Sequence, residues 1–241
     1  MIPPFEWLLV VGAVGIYVFD SSVLMCTNEM MIVCKRRNWE IVLPNSRLEL
    51  LRKFPYIPNP FTPHIGLIKT VWYPTAVSAK GYDNATLAEL HACLRPVRAA
   101  TVSLLAMLLV ALPLALFVAR TQLSFLILVA VIYMHIIFIL TVVFARRNEL
   151  RLTKWAFAKL AFDSFACAPL AVNVVRKLYL RQSLSSNTLA FVADICGRDA
   201  VVGIAPKLVF SVDEMIEHVE ENSAEKASLE QFKSALQKFK K

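Results

Sequence analysis

The chain has 241 residues, of which 57% are hydrophobic and only 18% are charged, and its mean hydropathy is +0.57. Soluble domains are closer to half apolar and a quarter charged, so this composition excludes an ordinary soluble domain and is typical of an integral membrane protein. The net charge of +8 does not indicate nucleic acid, because the basic residues crowd around the apolar segments, where anionic lipid headgroups lie.

The first apolar run, residues 5–26, is interrupted only by Asp20. About 20 mostly apolar residues cross a bilayer, so a transmembrane helix is predicted here. No positive charge precedes the run in "MIPPFEW", and a secretory signal peptide is therefore not expected.

Residues 27–99 are predicted to be a cytoplasmic, proline-rich segment. "FPYIPNPFTPH" favours neither a helix nor a central strand, because proline lacks the N–H donor and restricts the residue before it. Short strands are predicted at "NWEIVLP" and "IGLIKTVWY", and helices at "SRLELLRKF" and "DNATLAELHACLRP".

Two further spans, residues 100–119 and 123–145, contain no formal charge. Only three residues separate them, so they are expected to form a tight helical hairpin, with a kink or bend at Pro113. Ten Lys and Arg residues lie between the first and second spans, but only Arg120 lies in the hairpin turn. Since cytoplasmic loops carry the excess of Lys and Arg, the N-terminus is expected outside and the C-terminus inside, in a bacterial inner membrane.

Residues 155–175 are long enough to span but contain Lys159 and Asp163. They are interpreted as an interfacial amphipathic helix, or as a re-entrant one broken at Pro169. The alternative, a fourth span, would place the basic residues that follow on the outer side, against the charge rule. Seven basic residues around this segment are candidates for docking anionic headgroups or a partner: Arg146, Arg147, Arg151, Lys154, Arg176, Lys177 and Arg181.

Residues 182–241 are predicted to be a cytoplasmic helical region. "SNTLAFVADICG" indicates a helix that ends at Gly197, and Ser211 with Glu214 has the spacing of a capping box that starts another. The last helix carries an apolar stripe that must pack on the chain's own cytoplasmic part, a second copy or a partner: Leu229, Phe232, Leu236 and Phe239.

Asp20 is the most conspicuous candidate for a functional residue, since ionisable groups inside a membrane usually have partners. His135 lies at a similar depth, because both helices run in the same direction at ~1.5 Å per residue. An Asp20–His135 pair is therefore predicted, with proton relay or ion coupling as its functional version. The alternatives are a hydrogen-bonded contact that holds the helices together, a position of Asp20 near the inner interface in contact with a serine, Tyr133 or water, and a pair between Asp20 and another chain.

Residue spacing and motifs offer little support for a metal site or a catalytic site. His91, Cys93, Cys34 and His64 lack metal-ligand spacing, and no hydrolase, zinc-protease or phosphate-loop motif is found. No catalytic residue, metal or cofactor is assigned. The five cysteines are expected to be reduced thiols.

The predicted fold class is an all-α membrane protein with three transmembrane helices, one interfacial or re-entrant helix, and a mainly helical cytoplasmic portion with short strands. The favoured function is a non-catalytic accessory, assembly or scaffold subunit of a membrane complex, with other subunits or a second copy as partner. One alternative is an oligomeric channel or transporter that uses Asp20 and His135. The other is a membrane-bound enzyme with a site at its cytoplasmic face.

Overall fold

The structure, a computed structural model, describes residues 5–35, 39–44, 53–73, 83–182, 184, 188–217 and 224–238. It is mostly helical with small antiparallel sheets. The helices are α1 (Phe5–Ser21), α2 (Asn84–Cys93), α3 (Arg95–Ala119), α4 (Gln122–Ala145), α5 (Lys154–Ala166), α6 (Ala168–Val172), α7 (Val174–Leu180), α8 (Thr188–Cys196), α9 (Arg198–Glu217) and α10 (Ala224–Lys238). The strands are β1 (Val23–Met25), β2 (Glu29–Cys34), β3 (Trp39–Val42), β4 (Phe54–Tyr56) and β5 (Gly66–Val71).

The chain divides into two compact units. The first unit comprises Met1–Val23, Tyr56–Leu67 and Ala85–Arg181. The second unit comprises Leu24–Pro55, Ile68–Asn84 and Gln182–Lys241.

In the first unit, α1 is shorter than the predicted span of residues 5–26. The hydroxyls of Ser21 and Ser22 donate to the carbonyls of Tyr17 (2.8 Å) and Phe19 (2.7 Å) at the end of the helix. These serine bonds satisfy carbonyls that the next turn would otherwise use. The chain then leaves the helix and forms β1.

Helices α3 and α4 form the predicted hairpin, and both are long and apolar enough to cross a membrane. The hairpin turns at Arg120, which has a left-handed backbone with φ of 51°. On either side of Pro113, α3 has wide, π-helical turns at Met107–Ala111 and Leu114–Ala119. Wide turns let a helix continue where proline removes a hydrogen bond.

Residues 155–175 do not form one helix, because α5, α6 and α7 fold into a return hairpin. Helix α5 starts beside the end of α4, where the Phe157 and Phe144 rings are 5.2 Å apart. It reaches the middle of α4, where the Tyr133 hydroxyl donates to the carbonyl of Phe165 over 3.2 Å. The chain breaks at Cys167, whose backbone is extended, and α7 returns until Arg181 Nη1 donates to the carbonyl of Ala156 over 3.3 Å.

A three-stranded sheet in the order β3-β2-β5 lies mainly in the second unit, although β5 begins at Gly66 in the first, and β1 pairs with β4. β2 pairs antiparallel with β3, with Ile32 opposite Ile41. β3 and β5 confirm the two predicted strands, whereas β1, β2 and β4 were not predicted. The predicted helix at "SRLELLRKF" falls mainly on residues 45–52, outside the described residues.

The helices of the second unit follow the prediction in part. α8 ends before Gly197, whose φ of +85° suits glycine. The predicted start at Ser211 is wrong, because α9 continues from Arg198 through Pro206 to Glu217. On α10, Leu229 and Leu236 are buried, and the Phe232 ring lies 5.8 Å from that of Trp72. Phe239 lies outside the described residues.

Gly66, the first residue of β5, offers a direct test of packing in the first unit. A Cβ atom at this position would lie 2.7 Å from the ring of Tyr179, which is fully buried. We expect Gly66→Ala to lower the free energy of unfolding by about 1–3 kcal/mol through overpacking. Thermal unfolding in detergent measures the effect.

Gly12→Ala is the matched control, because nothing lies within 4 Å of the added atom. Alanine in a helix is favoured over glycine by about 1 kcal/mol, so this variant should be at least as stable as the parent chain. Equal unfolding midpoints for the two variants would contradict the packing of Gly66 against Tyr179.

Candidate functional site

The most elaborate polar arrangement of the described residues lies at the end of α1. We call it the Asp20 cluster: Tyr17, Asp20, Ser21, Asn173, Arg176 and Lys177. Lys177 Nζ lies 3.0 Å from Asp20 Oδ1, and Asn173 Nδ2 donates to Asp20 Oδ2 over 3.0 Å. The Lys177 and Asp20 side chains are 22% and 18% exposed. Both carboxylate oxygens are therefore engaged by donors from the return hairpin.

Asn173 is the centre of the cluster and is completely buried. It lies at the junction of α6 and α7. Its Nδ2 also donates to the carbonyl of Tyr17 over 3.2 Å, and its Oδ1 accepts from Ser21 Oγ over 3.1 Å. Since both the donor and the acceptor side of the amide are used, Asn173 fixes the end of α1 to the return hairpin.

Arg176 extends the cluster to the proline-rich segment. The side chain is 2% exposed, and its Nη2 donates to the carbonyls of Asn59 (2.7 Å) and Thr62 (2.9 Å). The Tyr17 hydroxyl donates to the carbonyl of Pro60. A segment with this much proline has few N–H donors of its own, so it is held here through its carbonyl oxygens.

The cluster contains more positive than negative charge. Lys177 pairs with the carboxylate of Asp20, whereas buried Arg176 contacts Asn173 Oδ1 and has no carboxylate partner among the described residues. Burial lowers the pKa of Arg176 from its ordinary value, although a guanidinium remains charged at neutral pH. The carbonyl dipoles of Asn59 and Thr62 supply the remaining negative potential around Arg176.

The Asp20–His135 pair is not formed. His135 Nε2 lies 3.2 Å from Ser103 Oγ on α3, and its Nδ1 lies 2.9 Å from the carbonyl oxygen of Val131. The two residues have different neighbours: α1, which carries Asp20, packs on α6, whereas His135 contacts Ser103 on α3. A similar predicted depth along two helices does not place two side chains on facing sides.

A second polar chain joins α2, α3 and α7. The Arg98 guanidinium contacts the His91 ring, and Arg98 Nε donates to the carbonyl of His64 over 2.9 Å. The Tyr179 hydroxyl lies 3.0 Å from His91 Nδ1. Burial, together with the positive charge of Arg98, lowers the pKa of His91.

The seven predicted docking residues separate into two groups. Arg146, Arg151, Lys154 and Arg181 are exposed, and half-buried Arg147 lies over the Phe144 ring at 5.0 Å. Arg176 and Lys177 are engaged within the Asp20 cluster, an arrangement that does not favour their predicted docking of headgroups or a partner. The reason is the break at Cys167, which turns α7 back towards α1.

Within the described ranges, no three His, Cys, Asp or Glu side chains converge as metal ligands. Comparisons with protein-family models, curated proteins and solved structures found no match to this chain.

The ion pair between Asp20 and Lys177 can be measured by a double-mutant cycle with Asp20→Asn, Lys177→Met and the double variant. We expect a coupling free energy of about 1–3 kcal/mol, between the values for surface and buried pairs. Chemical unfolding in detergent provides the measurement. The exposed pair Lys35–Glu40 in the second unit is the control, with an expected coupling below about 0.5 kcal/mol; equal couplings for the two pairs would contradict this assignment.

The lowered pKa of His91 predicts a pH dependence of stability. The folded state holds the imidazole neutral, whereas the unfolded chain protonates it below about pH 6.5. Stability is therefore complete above that pH and falls as the pH drops towards the lowered folded value. In His91→Gln, unfolding midpoints measured between about pH 5 and 7 should depend less on pH; an unchanged slope would show that His91 does not contribute.

Proposed function

We propose that this chain is an integral membrane protein of three spans that serves as a non-catalytic accessory, assembly or scaffold subunit of a larger membrane complex. The proposed location is a bacterial inner membrane, with the return hairpin and the second unit associated with the cytoplasmic side.

The exposure of α3 and α4 supports the membrane location. The most apolar 18-residue stretch of each helix has a mean hydropathy of 2.7 in α3 and 2.9 in α4, yet only 28% of each stretch is buried. In a water-soluble protein, helices this apolar would be covered by the core. A bilayer provides the apolar surroundings that the chain itself does not.

Helix α1 supplies the third span. Its 17 residues are at the short end of the range of about 17–25 that crosses the hydrocarbon core. Trp7 packs on Phe117 with ring centroids 4.8 Å apart, so the start of α1 lies beside the end of α3 near the hairpin turn. Asp20 then lies at the opposite, Lys- and Arg-rich side, which the positive-inside rule assigns to the cytoplasm.

The return hairpin fits a re-entrant element. Helix α5 enters beside the end of α4, reaches Tyr133 halfway along it, and the chain comes back to Ala156. Both ends therefore lie on the basic side, where exposed Arg146, Arg151, Lys154 and Arg181 suit an anionic leaflet.

We favour a structural subunit over a transporter because Asp20 is already bound within this chain. Both of its oxygens are bound by Lys177 and Asn173, and the cluster joins α1 to the return hairpin. Intramembrane acids of transport pathways instead line a route shared by several polar groups. A channel or transporter remains the competing hypothesis and would require Asp20 to line a wet axis in an oligomer.

Gentle purification from native membranes tests the proposal. We expect the chain to resist alkaline carbonate extraction and to co-purify with a stable membrane complex. Thr121→Cys, in the hairpin turn, should react with an impermeant maleimide added outside intact cells, after the five native cysteines are replaced by serine. Release by carbonate would contradict the membrane location, and a symmetric oligomer that conducts ions in liposomes would contradict the subunit role.

A further inference from the structure

The outward face of α5 carries an unpaired acid and an unpaired base in the part of the helix that re-enters the membrane. Trp155, Lys159 and Phe162 are exposed at i, i+4 and i+7, a spacing that places them on one stripe. Asp163 borders the stripe and is half-buried. Leu160 and Ser164 are buried on the opposite face, so the helix packs inward through them and leaves the stripe uncovered by the described chain.

Lys159 and Asp163 are charged side chains without an ion-pair partner among the described residues. Within the described part of the chain, neither Lys159 nor Asp163 has an ion pair, and neither side chain has a hydrogen bond. Asp163 is only two residues from Phe165, which contacts Tyr133 at the middle of α4. Ionisable groups at this depth are costly and normally pair with a group of opposite charge.

We propose that a second copy of this chain covers the stripe, so that the α5 helices of two copies pack side by side about a two-fold axis along the membrane normal. The inference rests on the proposed membrane location and names the partner of this face.

Charge complementarity selects a second copy over an unrelated helix. A two-fold contact is isologous, so a residue i that meets residue j is matched by j meeting i. Lys159 and Asp163 are one turn apart, about 6 Å along the axis, a distance that a lysine side chain spans. Lys159 of each copy then pairs with Asp163 of the other, which neutralises all four charges within one interface.

The rest of the stripe fits the same contact. Trp155 and Phe162 are 81% and 73% exposed and lie two turns apart on the line that also contains Lys159. Aromatic rings of this size supply packing area at a helix interface, and the small residue Ala158 beside them permits close approach of the backbones.

Complementation between two charge variants tests the inference, with differently tagged copies co-expressed in membranes and recovered through one tag. Lys159→Glu makes the face entirely acidic, and Asp163→Lys makes it entirely basic. We expect each variant alone to lose self-capture at least tenfold, the mixture of the two to recover it, and the double exchange Lys159→Asp/Asp163→Lys to restore it. Lys207→Glu, at an exposed position on α9, is the charge-matched control and should capture itself as the parent chain does.

Crosslinking keeps the test independent of the variants' folding. A photoreactive residue in place of Phe162 should give a product of twice the mass of the 27.1 kDa chain. A product of any other mass, or self-capture by Lys159→Glu at the parent level, would overturn the dimer. Carbonate extraction of the same membranes reports separately on the membrane location, so the two proposals can fail independently.

Discussion

The end of α1 must hold a carboxylate at the edge of an apolar environment, and the first unit is organised around that requirement. Asp20 receives Lys177 and Asn173 from the return hairpin, both at 3.0 Å. Because one donor lies in α7 and the other at its junction with α6, satisfying the acid also fixes where the chain turns back. Arg176 carries the same network to the carbonyls of the proline-rich segment.

The parts of the fold that composition alone determines were predictable from the sequence. The α3–α4 hairpin follows from two uncharged apolar runs and a short turn. Strand β2 was missed because its consecutive buried residues Met30–Val33 have no polar alternation, and such a strand is recognised only through its partners β3 and β5. The continuity of α9 through Pro206 was missed because buried Val201, Ala205, Leu208 and Val212 hold the helix together despite local signals for a boundary.

Of the candidate site, the sequence identifies Asp20 but not the residues that bind it. The cost of burying an acid identifies Asp20 from sequence, but its partner depends on which helix faces it. Depth along the helix selected His135, whereas packing gives His135 to Ser103. Lys177 and Arg176 resembled other basic residues near a membrane, since nothing in their local sequence indicates that the break at Cys167 turns α7 inward. Asn173 joins α1 to the junction of α6 and α7, a role that its local sequence does not indicate.

Asp20 is proposed to hold α1, the return hairpin and residues 57–65 as one network. Hydrogen–deuterium exchange of Asp20→Asn, compared with the parent chain in nanodiscs, tests this role. We expect faster exchange in three separate stretches, the end of α1, residues 168–180 and residues 57–65, with α4 unchanged. Faster exchange confined to the last turn of α1 would contradict it, because the acid would then stabilise only its own helix.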